Sequence, residues 1–493
     1  MNYVSTRNNS VSVPSAKAIG LGISADGGLF LPESIPALTA ADIEKMKGAD
    51  YKGRARLVLG KFLTDFTEDE IAACVEGAYT GSFDNEQPAP IHNLCDGVGI
   101  LELWHGPTCA FKDLALQILP YLLTASAKKT DAGKIVILVA TSGDTGKAAL
   151  EGFKDVENTD IIVFYPSDGV SAMQKLQMDS QEGENVCVCA IKGNFDDAQS
   201  RVKEIFTDPD MNALLADNGF AFSSANSINW GRLVPQIVYY VSAYCDLLES
   251  GADLSDGFNV TVPTGNFGNI LAAYYAKEMG VPIKKLICAS NKNNVLTDFI
   301  NTGVYDRNRA FHTTISPSMD ILISSNLERM IYMLSGGDSD RVAEWQKNLK
   351  ENGRFEVCGC VKEKISELFF GGCCDDEMTK KTIKETYEKY GYLMDTHTAV
   401  AMAVYNEYRE KTGDTAPAII ASTASPYKFA DSVLSALGGD MPEDDFCKLS
   451  VLSEKTDTAI PAPIASLKGK KRRFGEVIDR DEMRKAVCDY LGI

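Results

Sequence analysis

Histidine is scarce: 4 residues in a chain of 493. They are widely spaced, and none of the 13 cysteines falls in a CxxC pair. That leaves no ligand set for a structural zinc of the usual spacing. The odd cysteine number, scattered over a long chain, fits free thiols in a reducing cytosol better than a disulfide framework. No uncharged apolar run approaches the ~20 residues of a membrane helix, and no basic start leads into an apolar core as in a secretory signal. A cytoplasmic location is the expectation. Basic residues are in deficit, 49 against 68 acidic, for a net charge of −19. This argues against a nucleic-acid surface, though not against small anions held in a local pocket. GxGxxG is absent, and no period of 20–50 residues repeats, so a dinucleotide fingerprint and a solenoid are both set aside.

What is present is a large, ordinary apolar fraction, 45%, enough for two or three domains. From about residue 93 continuous apolar runs alternate with helical patterns. Candidate strands are Ile135–Ala140, Ile161–Tyr165, Val186–Ile191, Ala221–Ser224, Asn259–Pro263, Leu286–Ser290 and Ala418–Ala421. Such runs between helices predict an α/β fold with parallel sheets buried on both faces. Before residue 93 lie short helical patterns, including a capping-box start at Thr67 and Glu70. The basic run Lys468–Arg473 and the acidic stretches near Asp375 and Glu443 read as solvated surface.

Three motifs carry chemistry. In His105-Gly106-Pro107-Thr108-Cys109-Ala110-Phe111-Lys112-Asp113, one lysine follows a Gly-Pro turn and opens an apolar run. Alone it reads as a snorkelling lysine. Two glycine turns, Thr141–Gly146 and Gly265-Asn266-Phe267-Gly268-Asn269, each follow an apolar strand and precede a helical segment. That arrangement aims backbone N–H groups and a positive helix end at one point, which suits phosphate or carboxylate. The first turn mimics a P-loop but has two residues, not four, between its glycines. A third segment, Asn226-Ser227-Ile228-Asn229-Trp230-Gly231-Arg232, places neutral donors before an arginine able to form a bidentate fork. Its bland alternative is a helix cap followed by a surface arginine. A lysine beside two anion cradles suggests a carbonyl cofactor bearing a phosphate, with a second anion next to it.

HGPTCAFKD and GNFGN resemble the lysine motif and cofactor-phosphate loop of the threonine synthase family, within the tryptophan-synthase-β-like (fold type II) enzymes that use pyridoxal 5'-phosphate. The resemblance runs from Tyr3-Val4-Ser5-Thr6-Arg7 to the last helix. It implies an N-terminal domain (residues 1–92) and a catalytic region (93–493) with a small α/β domain nested at about 113–228. It implies Lys112 as the catalytic, cofactor-bearing lysine, with Gly265, Asn266, Phe267, Gly268 and Asn269 around the cofactor phosphate. Thr423 would meet the pyridine nitrogen, and Ser142, Thr145, Asn226, Ser227 and Arg232 would bind substrate. Many relatives carry Asn where this chain has Asp144, whose role stays open. The implied reaction converts O-phospho-L-homoserine and water to L-threonine and phosphate, the last step of threonine biosynthesis, in a monomer or weak homodimer. The alternatives are a phospho-lyase releasing 2-oxobutyrate and a silent anion-binding relative. No metal is implied.

Overall fold

The computed structural model describes residues 1–141, 143–167, 170, 172–439 and 441–493. The strands, in chain order, begin with β1 (Asn2–Ser5), β2 (Asn8–Pro14), β3 (Phe30–Pro32), β4 (Ile91–Cys95) and β5 (Val98–Glu102). Next come β6 (Lys134–Ala140), β7 (Thr159–Pro166), β8 (Val186–Ile191), β9 (Phe220–Ser223), β10 (Phe258–Pro263) and β11 (Ile283–Ser290). The last are β12 (Val304–Asp306), β13 (Arg354–Glu356), β14 (Phe369–Cys373), β15 (Ala418–Ser422) and β16 (Val477–Ile478).

Two sheets organise the chain from β4 onward. The larger runs β14-β11-β10-β15-β5-β4, parallel except for β4, which pairs antiparallel with β5. The smaller runs β16-β8-β7-β6-β9 and is parallel throughout. Every residue of β7 and β10 is buried, as continuous apolar strands covered by helices on both faces must be. All seven strands predicted from apolar runs are present, with ends shifted by three residues or fewer. The smaller sheet draws its edge strand β16 from the far C-terminus. There Ile478, Met483 and Val487 join the core formed by Val136, Ile162 and Ile191. The basic run before β16 is exposed, yet its backbone is strapped down: the N–H groups of Arg473 and Phe474 donate to the Asp179 carbonyl at 2.7 and 2.9 Å.

The N-terminal segment forms the small sheet β2-β1-β3 and packs on the long helix Trp230–Glu249. Trp230 is fully buried there, with Tyr3 and Tyr275 ring centroids both 5.3 Å away. The predicted capping box exists: Glu70 N–H donates to Thr67 Oγ1, and Thr67 N–H to Glu70 Oε2. Among the described residues no helix is long and apolar enough to cross a membrane.

Candidate active site

Lys112 sits where the chain leaves a tight turn, with Cys109 in the left-handed region (φ 55°), and enters the four-residue helix Asp113–Leu116. The segment is pinned to the C-terminal end of β15, because Phe111 N–H donates to the Thr423 carbonyl at 2.9 Å. Lys112 and Thr423 are therefore brought together from positions 311 residues apart. Both are buried. Among the described residues the Thr423 hydroxyl makes no protein hydrogen bond, and it ends a strand where a heteroaromatic nitrogen could meet it.

Burial pulls the Lys112 amine down to about 8, against the pull of Asp144, whose Oδ2 lies 3.9 Å from Nζ. Lys428 and Arg232 push the same way as burial. The lowered value means a substantial neutral fraction near pH 8, which a nucleophilic amine requires. Asp113, also buried, is pushed up to about 6 despite accepting bonds from Thr108 N–H (2.8 Å) and Oγ1 (2.6 Å). Next to the lysine, this carboxyl is fixed as the brace of its turn.

Asp144 now has a role. Its Oδ1 accepts from Lys428 Nζ at 3.0 Å and from Gln174 Nε2 at 3.3 Å. Burial raises its proton affinity, but the two lysines outweigh it and hold the carboxyl well below the usual range. The carboxylate is thus neutralised by cations rather than left to repel an anion. Lys428 was not legible in the sequence. It lies in a short 3-10 turn, Pro426–Phe429, just past β15, and carries no local motif. Its Nζ also donates to the Thr108 carbonyl (2.8 Å), so it ties the lysine turn to the glycine turn. Beside this group a small pocket is lined by Asp144, Gln174, Gln177, Tyr427 and Lys428, among others.

Gly143, with φ 146°, starts the helix Asp144–Phe153, and an added Cβ would fall 2.4 Å from Gln174 Nε2. Thr141 Oγ1 accepts from Gly143 N–H and Gly146 N–H, which shapes the turn from below. Thr145 is half-buried on its first helical turn; Ser142 lies outside the described residues.

The segment Asn226–Arg232 departs from the bland reading in a telling way. The helix cap is Asn229, accepting from Gly231 N–H at 2.8 Å, while its Nδ2 donates to the carbonyls of Ile19 and Ser224. Asn226 is exposed and Ser227 half-buried. Arg232 is 5% exposed and is no surface arginine. Among the described residues its side chain makes one hydrogen bond, from Nη1 to the Ala225 carbonyl (2.8 Å), and no carboxylate pairs with it. Burial lowers it to about 10. By contrast, buried Arg54 pairs with Asp246 and Glu249. A buried guanidinium with donors to spare and no acid partner marks an anion site.

The second glycine turn fits a phosphate. Phe267 adopts φ 64° and caps the helix Gly268–Glu278, so the free N–H groups of its first turn converge. An added Cβ at Gly265 would fall 2.5 Å from the Ser318 carbonyl. Asn269 is buried, with Oδ1 accepting from the hydroxyls of Tyr239 and Tyr240 and Nδ2 left as an unpaired buried donor among the described residues. Such an orphan beside a helix N-terminus is what an anionic group would satisfy.

The two anion loops are joined through Asn326, fully buried. Its backbone N–H and Nδ2 donate to the Asn266 carbonyl (3.1 and 3.2 Å), and Nδ2 donates to the Ser227 carbonyl (3.0 Å). Arg329 Nη1 donates to Asn326 Oδ1 and so fixes which way the amide points. The same guanidinium reaches the Ile228 carbonyl (2.5 Å) and the Phe30 carbonyl (2.8 Å). The N-terminal segment therefore braces the site through the main-chain oxygens of Ile19 and Phe30. His105 lies apart from this chemistry: its ring bonds Asp84 (2.7 Å) and Glu102 (3.0 Å).

Comparison with known proteins fits this geometry. Residues 2–79 match the profile described as "Threonine synthase N terminus", 92–359 "Pyridoxal-phosphate dependent enzyme", and 398–487 "Threonine synthase, C-terminal". The chain belongs to the threonine synthase family. It is 38% identical over 448 residues to threonine synthase of Pseudomonas aeruginosa, covering 90% of this chain and 92% of that one. It is 41% identical over 433 residues to human threonine synthase-like 1, covering 86% of this chain but only 58% of that longer protein. The solved structure of PLP-bound threonine synthase from Brucella melitensis superposes with a TM-score of 0.89 at 36% identity, with 99% of both chains covered. The chain accordingly has the fold type II architecture of the pyridoxal-phosphate-dependent enzymes. The orphan Asn269 donor, the Gly265 approach and the unpaired Thr423 hydroxyl are compatible with the phosphate and ring of that cofactor.

Proposed function

We propose that this enzyme converts O-phospho-L-homoserine and water to L-threonine and phosphate. The observation that carries the reading is Arg232: buried, cationic, without a carboxylate partner, and close enough to Lys112 to depress its proton affinity. One anion cradle, Gly265–Asn269, is assigned to the cofactor phosphate and the other to the substrate. Pyridoxal phosphate supplies an electron sink that acidifies the carbons next to the substrate amine.

The chain's own residues supply the rest. Lys112 Nζ, partly neutral, takes the proton from Cα, and removal of a second proton, from Cβ, then expels phosphate from Cγ. Asn226, Ser227 and Arg232 hold the substrate phosphate; Ser142 and Thr145 hold the carboxylate. Arg232 balances the charge that grows on phosphate as it leaves Cγ. Lys112 Nζ delivers a proton to Cγ, water adds its hydroxyl at Cβ while the retained phosphate keeps the cleft shut and can take up the water's proton, and Lys112 Nζ returns a proton to Cα. Asp144, locked by Lys428, holds Lys112 in place without adding a free negative charge to the site.

A second reading is a phospho-lyase releasing 2-oxobutyrate; the human relative, 41% identical, is named threonine synthase-like rather than threonine synthase. Both readings share Lys112, and product analysis separates them. Under initial-rate conditions in deuterated water the synthase yields threonine and phosphate in equal amounts, with deuterium at Cγ. Predominant 2-oxobutyrate and ammonia would move the assignment to the phospho-lyase. No turnover despite a bound cofactor would leave an anion-binding relative.

A further inference from the structure

Cys358-Gly359-Cys360 belongs to no part of the site above. Cys358 occupies the cap position of the helix Gly359–Leu368, and Cys360 lies in its first turn. The backbone is held on both sides: Val357 N–H donates to the Gly303 carbonyl (3.0 Å), and Lys362 N–H to the Cys358 carbonyl (3.0 Å). Val361 and Ile365 anchor the helix with fully buried side chains. On this fixed frame the two sulfurs lie 2.9 Å apart. About 0.9 Å of further closure reaches the ~2.0 Å of a disulfide bond.

The surroundings favour a thiolate and admit a reagent. Arg341 Nη1 donates to Cys358 Sγ at 3.4 Å. Cys358 is partly exposed and Cys360 exposed. Cys358 opens on a shallow groove lined by Arg341, Glu344, Trp345, Asn348 and Glu356. The bond to Cys360, together with Arg341, lowers the proton affinity of Cys358, although its slight burial opposes this. The other exposed thiols have no such setting. Cys447 is raised by the neighbouring Asp444, and Cys373 by burial and by Glu407.

We propose that Cys358 and Cys360 form a thiol–disulfide exchange site for low-molecular-weight disulfides, with Cys358 attacking and Cys360 resolving. The Cys358 thiolate attacks one sulfur of the disulfide RSSR, forming Cys358–S–SR and releasing RS⁻. Cys360, giving its proton to solvent or to that thiolate, then attacks the Cys358 sulfur. The Cys358–Cys360 bond forms and the second RS⁻ departs. Two protein thiols are oxidised and one RSSR is reduced to two RSH, so the exchange balances.

The test uses the cofactor-loaded enzyme and glutathione disulfide, followed by alkylation and peptide mass mapping. The wild-type peptide spanning both cysteines should lose two hydrogens and keep no glutathione. Cys360→Ser should retain one glutathione on Cys358. Cys358→Ser should react at this peptide about tenfold more slowly, since the remaining thiol lacks the arginine. Both serine variants should keep the basal activity, which reports that they fold. The proposal is overturned if Cys358→Ser reacts as fast as wild type, if Cys447 reacts first, or if wild type accumulates the adduct without losing two hydrogens.

Discussion

Replacing Arg232 with methionine tests the substrate-phosphate assignment most directly. The guanidinium uses one N–H on the Ala225 carbonyl, leaving four donors for the cleft. A bidentate phosphate contact would use two of them, each charge-assisted bond contributing about 1.5–3 kcal/mol. The cation's desolvation and the Ala225 carbonyl left without its donor weigh on free enzyme and transition state alike, so they move stability and not kcat/KM. The loss of transition-state stabilisation is about 3–6 kcal/mol, roughly 150- to 25,000-fold in kcat/KM. Arg232→Lys should recover only part, because a point charge replaces a planar fork. Steady-state kinetics with O-phosphohomoserine read the effect, with cofactor absorbance and Tm as controls. Cofactor binding should be unchanged, and Tm unchanged or raised, since the lost charge has no acid partner. A kcat/KM within about threefold of wild type would refute the assignment. So would a matching loss of cofactor absorbance.

Further tests bear on the remaining groups. Borohydride reduction of the holoenzyme followed by peptide mapping should place the pyridoxyl group on Lys112; labelling at another lysine would remove the basis of the site. In the apoenzyme Lys112 titrates at about 8, whereas the unfolded chain titrates near ~10.4. Between those pH values the unfolded chain binds the extra proton, so this group makes stability rise with pH across that window. Urea unfolding of apoenzyme from pH 8 to 10 should show a shallower rise for Lys112→Met than for wild type. Asn326→Asp keeps a partner for Arg329 but removes the donor to the Asn266 and Ser227 carbonyls. It should raise both the cofactor Kd and the substrate KM, and an effect on one alone would show that the two loops are not joined there. Gly265→Ala forces a methyl to within 2.5 Å of the Ser318 carbonyl. Fluorescence titration should find weaker cofactor binding, with the rest of the fold intact.

Much of the architecture was legible because it depends on short-range rules. Strands such as β7 and β10 are read from unbroken apolar runs, which only a doubly covered parallel strand tolerates. The turns before the helices Asp144–Phe153 and Gly268–Glu278 are read from glycines between a strand and a helical pattern. Lys112 stood out because its motif is local. The tertiary structure alone decided how charge is distributed. Asp144 looked hostile to an anion until Lys428, 284 positions away, proved to neutralise it. Nothing near Arg232 in sequence says whether a carboxylate will meet it, since a partner can come from any segment; the fold brings none among the described residues. The brace formed by Asn326 and Arg329 is equally silent in sequence. It consists of bonds to main-chain carbonyls at Phe30, Ser227, Ile228 and Asn266, and every residue carries a carbonyl, so no side-chain pattern records which ones are used. The edge strand β16 was missed for a related reason: two residues are too few to show a period, and only the open edge of β8 gives them a partner. Local pattern fixed the elements, while long-range pairing in a low-dielectric interior set the charge and shape of the site they enclose.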